Sequence, residues 1–185
     1  MPIDFEKVFK IPRYYLGIRV KVAFKKRVGE KVVGVTNKAG RYFVVTLDYD
    51  IADEHIVRAD VIALQHEFGL GDAFLFKTGG GFHVLILDLL TWEEWLTVLD
   101  AANCDEDFKA VPLTNKRRVW VMRLTAKGEN KVTYIGVLKG ERANPVSYPH
   151  LQMLYRRGIP SKDLEGLNIY SRLHKEELIY ATYEA

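Results

Sequence analysis

The chain has 185 residues, 48% apolar and 12% aromatic, enough to bury one substantial core and to form a single domain over 1–185. The formal net charge is a modest +3, and a lone cysteine, Cys104, excludes an internal disulfide framework and a zinc site built mainly from thiolates; the thiol reads as half-buried and inert. No apolar run of about 18 residues is present to span a bilayer, and MPIDFEKVFK lacks the basic-then-apolar order of a secretory signal, so a soluble, cytoplasmic protein without membrane partners is expected.

In chain order, segments rich in β-branched and aromatic residues predict strands at 16–24, 31–36, 41–48, 73–77, 82–88, 118–124 and 131–138. Apolar residues recur at helical spacing over 53–68, through Ile56, Val57, Val61, Leu64 and Phe68. A second helix is predicted over 91–102, opening with a Thr91…Glu94 capping box. Weaker helical patterns cover 146–157 and 172–181. Strands interrupted by single helices predict an α+β fold, with a mixed or antiparallel sheet flanked by helices. The core spans 1–145, and 146–185 forms a short helical C-terminal part of the same domain.

Charge is unevenly distributed. Residues 9–41 carry ten Lys/Arg and one acid, 42–110 carry three and fourteen, and 111–145 carry eight and two. An acidic middle flanked by basic segments suits a polyanionic ligand around a metal-attracting centre; solvated faces are the plainer alternative.

Three stretches carry residues with chemical potential. In FVVTLDYD, Asp48 and Asp50 stand two apart in a strand and project together, while Phe43, Val45, Leu47 and Tyr49 face the other way, under helices. Two close carboxylates repel unless a cation such as Mg2+ or Mn2+ lies between them. In FLFKTGGGFHVLILD, Gly79, Gly80 and Gly81 join two strands, and their amides, with Lys77, Thr78 and His83, have the makings of a phosphate cradle; a plain glycine hairpin is the rival. In CDEDFKAVPLTNKRRVWVMRLTAKGENK, Asp105, Glu106 and Asp107 precede Lys116, Arg117 and Arg118. Alternation there puts Trp120, Met122 and Leu124 on one face and Val119, Val121 and Arg123 on the other, and an arginine in such a strand calls for an anionic partner. His55 and His66 read as ordinary helix histidines, His150 and His174 show no partner in sequence, and Trp92 and Trp95 read as packing residues.

In this order, VVTLDYD, KTGGGFHVLI and an Asp of CDEDF resemble the catalytic core of the archaeo-eukaryotic primase superfamily, and the later VWVMRLTAKGENK looks like the arginine strand and lysine turn of many primase-polymerases. The resemblance covers about residues 40–131 and lies in order and spacing. It implies an RRM-like core and a template-dependent DNA primase or polymerase that forms phosphodiester bonds with two divalent ions, Mg2+ or Mn2+. It also implies Asp48, Asp50 and Asp105 as metal ligands, with Asp107 the alternative third acid. His83, Lys77, Thr78, Gly80, Gly81, Arg123 and Lys127 would contact the nucleoside triphosphate. Lys25, Lys26, Arg27, Lys116, Arg117 and Arg118 would hold DNA template and primer, with a helicase or a larger primase subunit as partner. Gly81 stands where the family commonly has serine, and no zinc cluster is present. A catalytically degenerate nucleic-acid or nucleotide-binding module and a metal-dependent nuclease are the rival readings.

Overall fold

A computed structural model describes residues 33–114, 118–125, 130–169 and 182–184. The strand expected at 16–24 and the helix expected at 172–181 lie outside the described residues, as do Lys25, Lys26, Arg27, Lys116, Arg117 and Lys127. The described elements in chain order are β1 (Val33–Thr36), β2 (Lys38–Ala39), β3 (Tyr42–Tyr49), α1 (Glu54–Phe68), β4 (Ala73–Lys77), β5 (Phe82–Leu90), α2 (Trp92–Ala101) and α3 (Glu106–Thr114). There follow β6 (Val121–Arg123), β7 (Thr133–Leu138), β8 (Pro145–Val146), α4 (Tyr148–Arg156), β9 (Asn168–Ile169) and β10 (Thr182–Glu184).

The main sheet runs β2-β3-β5-β4-β7, with β8 attached to β5 and β9 to β8. Its pairings are antiparallel except that of β8 with β9. Because β3 and β4 both run antiparallel to the β5 between them, they are parallel to each other, and α1 links them as a split βαβ unit. A smaller antiparallel sheet has the order β10-β1-β6. The α+β class with antiparallel sheets and packed helices is the one the sequence predicts. Among the described residues no helix is long and apolar enough to cross a membrane.

Local chemistry sets the helix ends. Asp53 caps α1 by accepting from the His55 amide at 2.8 Å, and Gly69 closes it in the left-handed conformation at φ 60°, which glycine reaches without a Cβ penalty. At α2 the Thr91 hydroxyl accepts from the Glu94 amide while the Glu94 carboxylate accepts from the Thr91 amide, the reciprocal box legible in the sequence.

Strand alternation then sorts the core. Phe43, Val45, Leu47 and Tyr49 of β3 and Phe82, Val84 and Ile86 of β5 bury one face of the sheet against Val57, Val61 and Leu64 of α1 and Trp95, Val98 and Leu99 of α2. Trp95 also donates its indole N–H to the Val44 carbonyl at 3.0 Å, so that a large apolar side chain is buried with its polar atom satisfied.

The opposite face, the one to which Asp48 belongs, is covered as well. Val44, Phe74, Phe76, Leu85 and Leu87 form a second core with Val35 of β1, Met122 of β6 and Leu151, Met153 and Leu154 of α4. Apolar residues on both faces of β3, β4 and β5 demand cover on both sides, and the small sheet and α4 supply it.

The predicted strand at 118–124 is observed over Val121–Arg123 only. Met122 and Leu124 enter the second core as alternation requires, but Trp120 turns instead to Phe108 of α3, 4.3 Å away edge to face. The helix α3 itself was not anticipated. Pro112 inside it obscured the pattern, and the Asp105-Glu106-Asp107 run is explained by position, because carboxylates beside the first turn of a helix complement its exposed amides.

Candidate functional site

Asp48 and His83 meet because β3 and β5 are adjacent and in register, Asp48 opposite His83. Both lie on the face of the second core, at the strand ends where its cover stops. The His83 Nε2 lies 3.4 Å from Asp48 Oδ1, an ion pair when the imidazole is protonated. The imidazole is almost buried and the carboxylate about one-third exposed. His83 Nδ1 is buried without a partner among the described residues.

Asp50 follows β3 and is exposed. Asp105 reaches the same corner through the backbone, its amide donating to the Asp48 carbonyl at 2.8 Å. Its side chain is engaged locally: Oδ1 accepts from the Asp107 amide at 3.2 Å while its carbonyl accepts from Lys109, the geometry of a cap on α3. Asp107 is exposed on the first turn of that helix. Among the described residues no three His, Cys, Asp or Glu side chains gather into a group that would hold a metal ion.

The glycine turn closes on itself. The Thr78 amide donates to the Gly81 carbonyl at 2.9 Å, and the Gly81 amide donates to the Thr78 hydroxyl at 2.9 Å. Gly81 is required by close approach, since a Cβ there would stand 1.8 Å from the Tyr49 carbonyl oxygen. The hairpin tip is thereby pressed against the strand end that carries Asp48 and Asp50. Gly80 has open space around its Cα.

Lys77 does not join His83. Its ammonium lies over the Phe82 ring at 3.8 Å and donates to the Ala52 carbonyl at 3.3 Å, on the helix-covered face. Arg123 sits on β6 beside exposed Val121, with Gly34 opposite, and its buried Nε has no partner among the described residues.

Cationic and aromatic groups assemble at the other end of β3. Arg118 lies over the Trp92 ring at 4.5 Å, Trp92 stacks on Trp95 at 5.2 Å and tilts against Phe43 at 5.1 Å, and Lys38 approaches Phe43 from a further side at 5.6 Å. Trp95 is a packing residue, as expected, and half-buried Trp92 lies against it and the Arg118 guanidinium. Arg118 is held by its backbone, at φ 55° with its carbonyl accepting from the Asn37 side chain at 3.3 Å.

His150 has partners that the sequence did not reveal. It is fully buried; Nε2 lies 2.7 Å from the Thr36 carbonyl and Nδ1 2.6 Å from the Ser147 hydroxyl. A carbonyl only accepts, so Nε2 carries the hydrogen and Nδ1 accepts from Ser147. Burial pushes this imidazole down to about 4, against the opposing pull of the Thr36 carbonyl. His55 and His66 are exposed on α1, and Cys104 is buried, its thiol pushed up to about 12 chiefly by burial.

No protein-family model matches the chain, and no curated protein or solved structure matches it either.

Proposed function

We propose that the chain is a template-dependent nucleotidyltransferase of the primase-polymerase kind, working on nucleoside triphosphates and a DNA template and primer. The observation that carries the reading is the facing of Asp48 and His83 across β3 and β5, with Asp50 and the start of α3 at the same corner.

Mg2+ is typically held through one or two carboxylates, with water and substrate phosphates completing the shell. Exposed oxygens of Asp48 and Asp50 fit that requirement, and Asp105 stands one hydrogen bond from the Asp48 backbone. A divalent ion held by Asp48 and Asp50 would supply positive charge against the triphosphate; the reaction joins a primer 3′-oxygen to the α-phosphorus, with pyrophosphate as the leaving group. The chain's own part is orientation. His83 Nε2, when it carries the proton, donates to an anionic oxygen brought beside Asp48, and the nearly complete burial of the ring fixes the direction of that donor. Exposed Arg118 and half-buried Lys38 would hold nucleic-acid phosphates.

A second reading is favoured by one feature. The Asp105 carboxylate and the Gly81 amide both have hydrogen bonds within their own turns, which suits a non-catalytic nucleotide- or DNA-binding module.

Primer extension on a primed template with Mg2+ or Mn2+ separates these readings. The expected result is extension by the wild type and its loss in Asp48→Ala, with binding of DNA retained. Absence of extension alongside retained binding supports the non-catalytic module. Shortened strands that depend on Asp48 identify a nuclease instead. Equal extension by both proteins removes Asp48 from the chemistry.

A further inference from the structure

Five residues beyond His83 along β5, roughly 16 Å at the rise of a strand, a polar cavity opens that the proposed reaction does not use. Its volume is about 250 Å³, and its lining includes Asp72, Asp88, Arg142, Asn144 and Glu165. Asp88 is 1% exposed. One of its oxygens, Oδ2, accepts from the Gly71 amide at 2.8 Å and from the Asn144 side chain at 2.6 Å. The other, Oδ1, is buried and has no hydrogen-bond partner among the described residues.

An unpartnered buried oxygen costs free energy, and burial raises the pKa of this carboxyl; a cationic donor at Oδ1 would offset both. Gly71 makes room for it: a Cβ there would stand 2.8 Å from Oδ1. The remaining charge narrows the ligand. Asp72 is already engaged by Lys139 at 2.7 Å and by the Gly140 amide at 3.0 Å. The lining as a whole has four acids, Asp72, Asp88, Glu141 and Glu165, against Lys139 and Arg142, an excess of two negative charges.

We propose that this cavity binds a small organic cation through a primary ammonium group, with Asp88 Oδ1 as the buried acceptor. An ammonium is preferred over a guanidinium because Oδ2 is spent, which leaves no pair of oxygens for a planar fork. It is preferred over a metal ion because, among the described residues, Asp88 is the one lining carboxylate with an unpartnered buried oxygen, and an ammonium needs only a few acceptors. The proposal is independent of the reading given to Asp48 and His83.

The test is an NMR titration of the full chain with butylammonium chloride, with 1-butanol as its uncharged counterpart. Saturable shifts of the Gly71 amide and the Asn144 side-chain amide are expected with butylammonium and not with butanol. Asp88→Asn keeps an oxygen for Gly71 and Asn144 and puts an amide donor in place of Oδ1; it should bind butylammonium about tenfold more weakly or worse. Absence of saturation, equal shifts with butanol, or undiminished affinity in folded Asp88→Asn overturns the proposal. If that variant does not fold, the wild-type map decides: shifts centred on Gly71 and Asn144 support the site, and shifts elsewhere or none overturn it.

Discussion

His150 shows how much one buried imidazole controls. With Nε2–H on the Thr36 carbonyl and Nδ1 on the Ser147 hydroxyl, it ties the start of α4 to β1, and its neutral form is the one the site accommodates. Its ionisation is depressed from 6.5 to about 4 in the folded state. Between these values the unfolded chain binds a proton that the folded chain refuses, so stability contributed by this group is complete above about 6.5 and declines as pH falls toward 4. A shift of this size corresponds to roughly 3–3.5 kcal/mol. Urea titrations at pH 7 and near pH 4.5 should show the loss in the wild type, and His150→Asn should reduce the pH dependence while lowering stability at pH 7. An unchanged pH dependence in His150→Asn would place the acid sensitivity elsewhere.

At the scale of elements, α3 connects the acidic run of the sequence to the candidate site. Asp105 caps this helix and its amide bonds to Asp48, so one residue joins a helix start to a strand end. Capping and metal binding make different demands on the side chain. Asparagine caps as well as aspartate does but is a much poorer ligand for a hard divalent ion. Asp105→Ala should cost about 1 kcal/mol of stability by thermal melting, and Asp105→Asn should restore it. If Asp105 also ligates the ion in the loaded enzyme, Asp105→Asn melts like the wild type yet loses primer extension; full extension would assign Asp105 to the cap alone. The β4-β5 hairpin is a second junction, because the contact of Gly81 with the Tyr49 carbonyl sets the distance from the glycine turn to the Asp48 strand.

The main sheet of the described molecule is shared by two cores, and that arrangement couples them. Leu64 and Trp95 lie in one and Leu85 and Leu154 in the other, with the strand backbones between. Loss of either cover would leave an apolar sheet face in water. Leu154→Ala, at a fully buried position, should therefore cost about 2–5 kcal/mol. It should also shift far-ultraviolet dichroism and tryptophan emission together in urea, although no tryptophan belongs to its core. Separated transitions would mean that the two layers unfold independently.

The amino-acid sequence by itself determined the segments whose signals are local. The Thr91 capping box, the alternation in β3 and the glycine hairpin depend on residues a few positions apart, and each was legible. The α+β class followed from their order. Tertiary structure decided the cover of the second sheet face, the turning of Trp120 toward Phe108, the seating of His150 between Thr36 and Ser147, and the unpartnered oxygen of Asp88. These depend on residues far apart in the chain, and their energies come from burial and from hydrogen bonds that exist only after the sheet has closed. The meeting of Asp48 with His83 lies between the two cases: each strand was readable alone, but their facing required the register of β3 on β5.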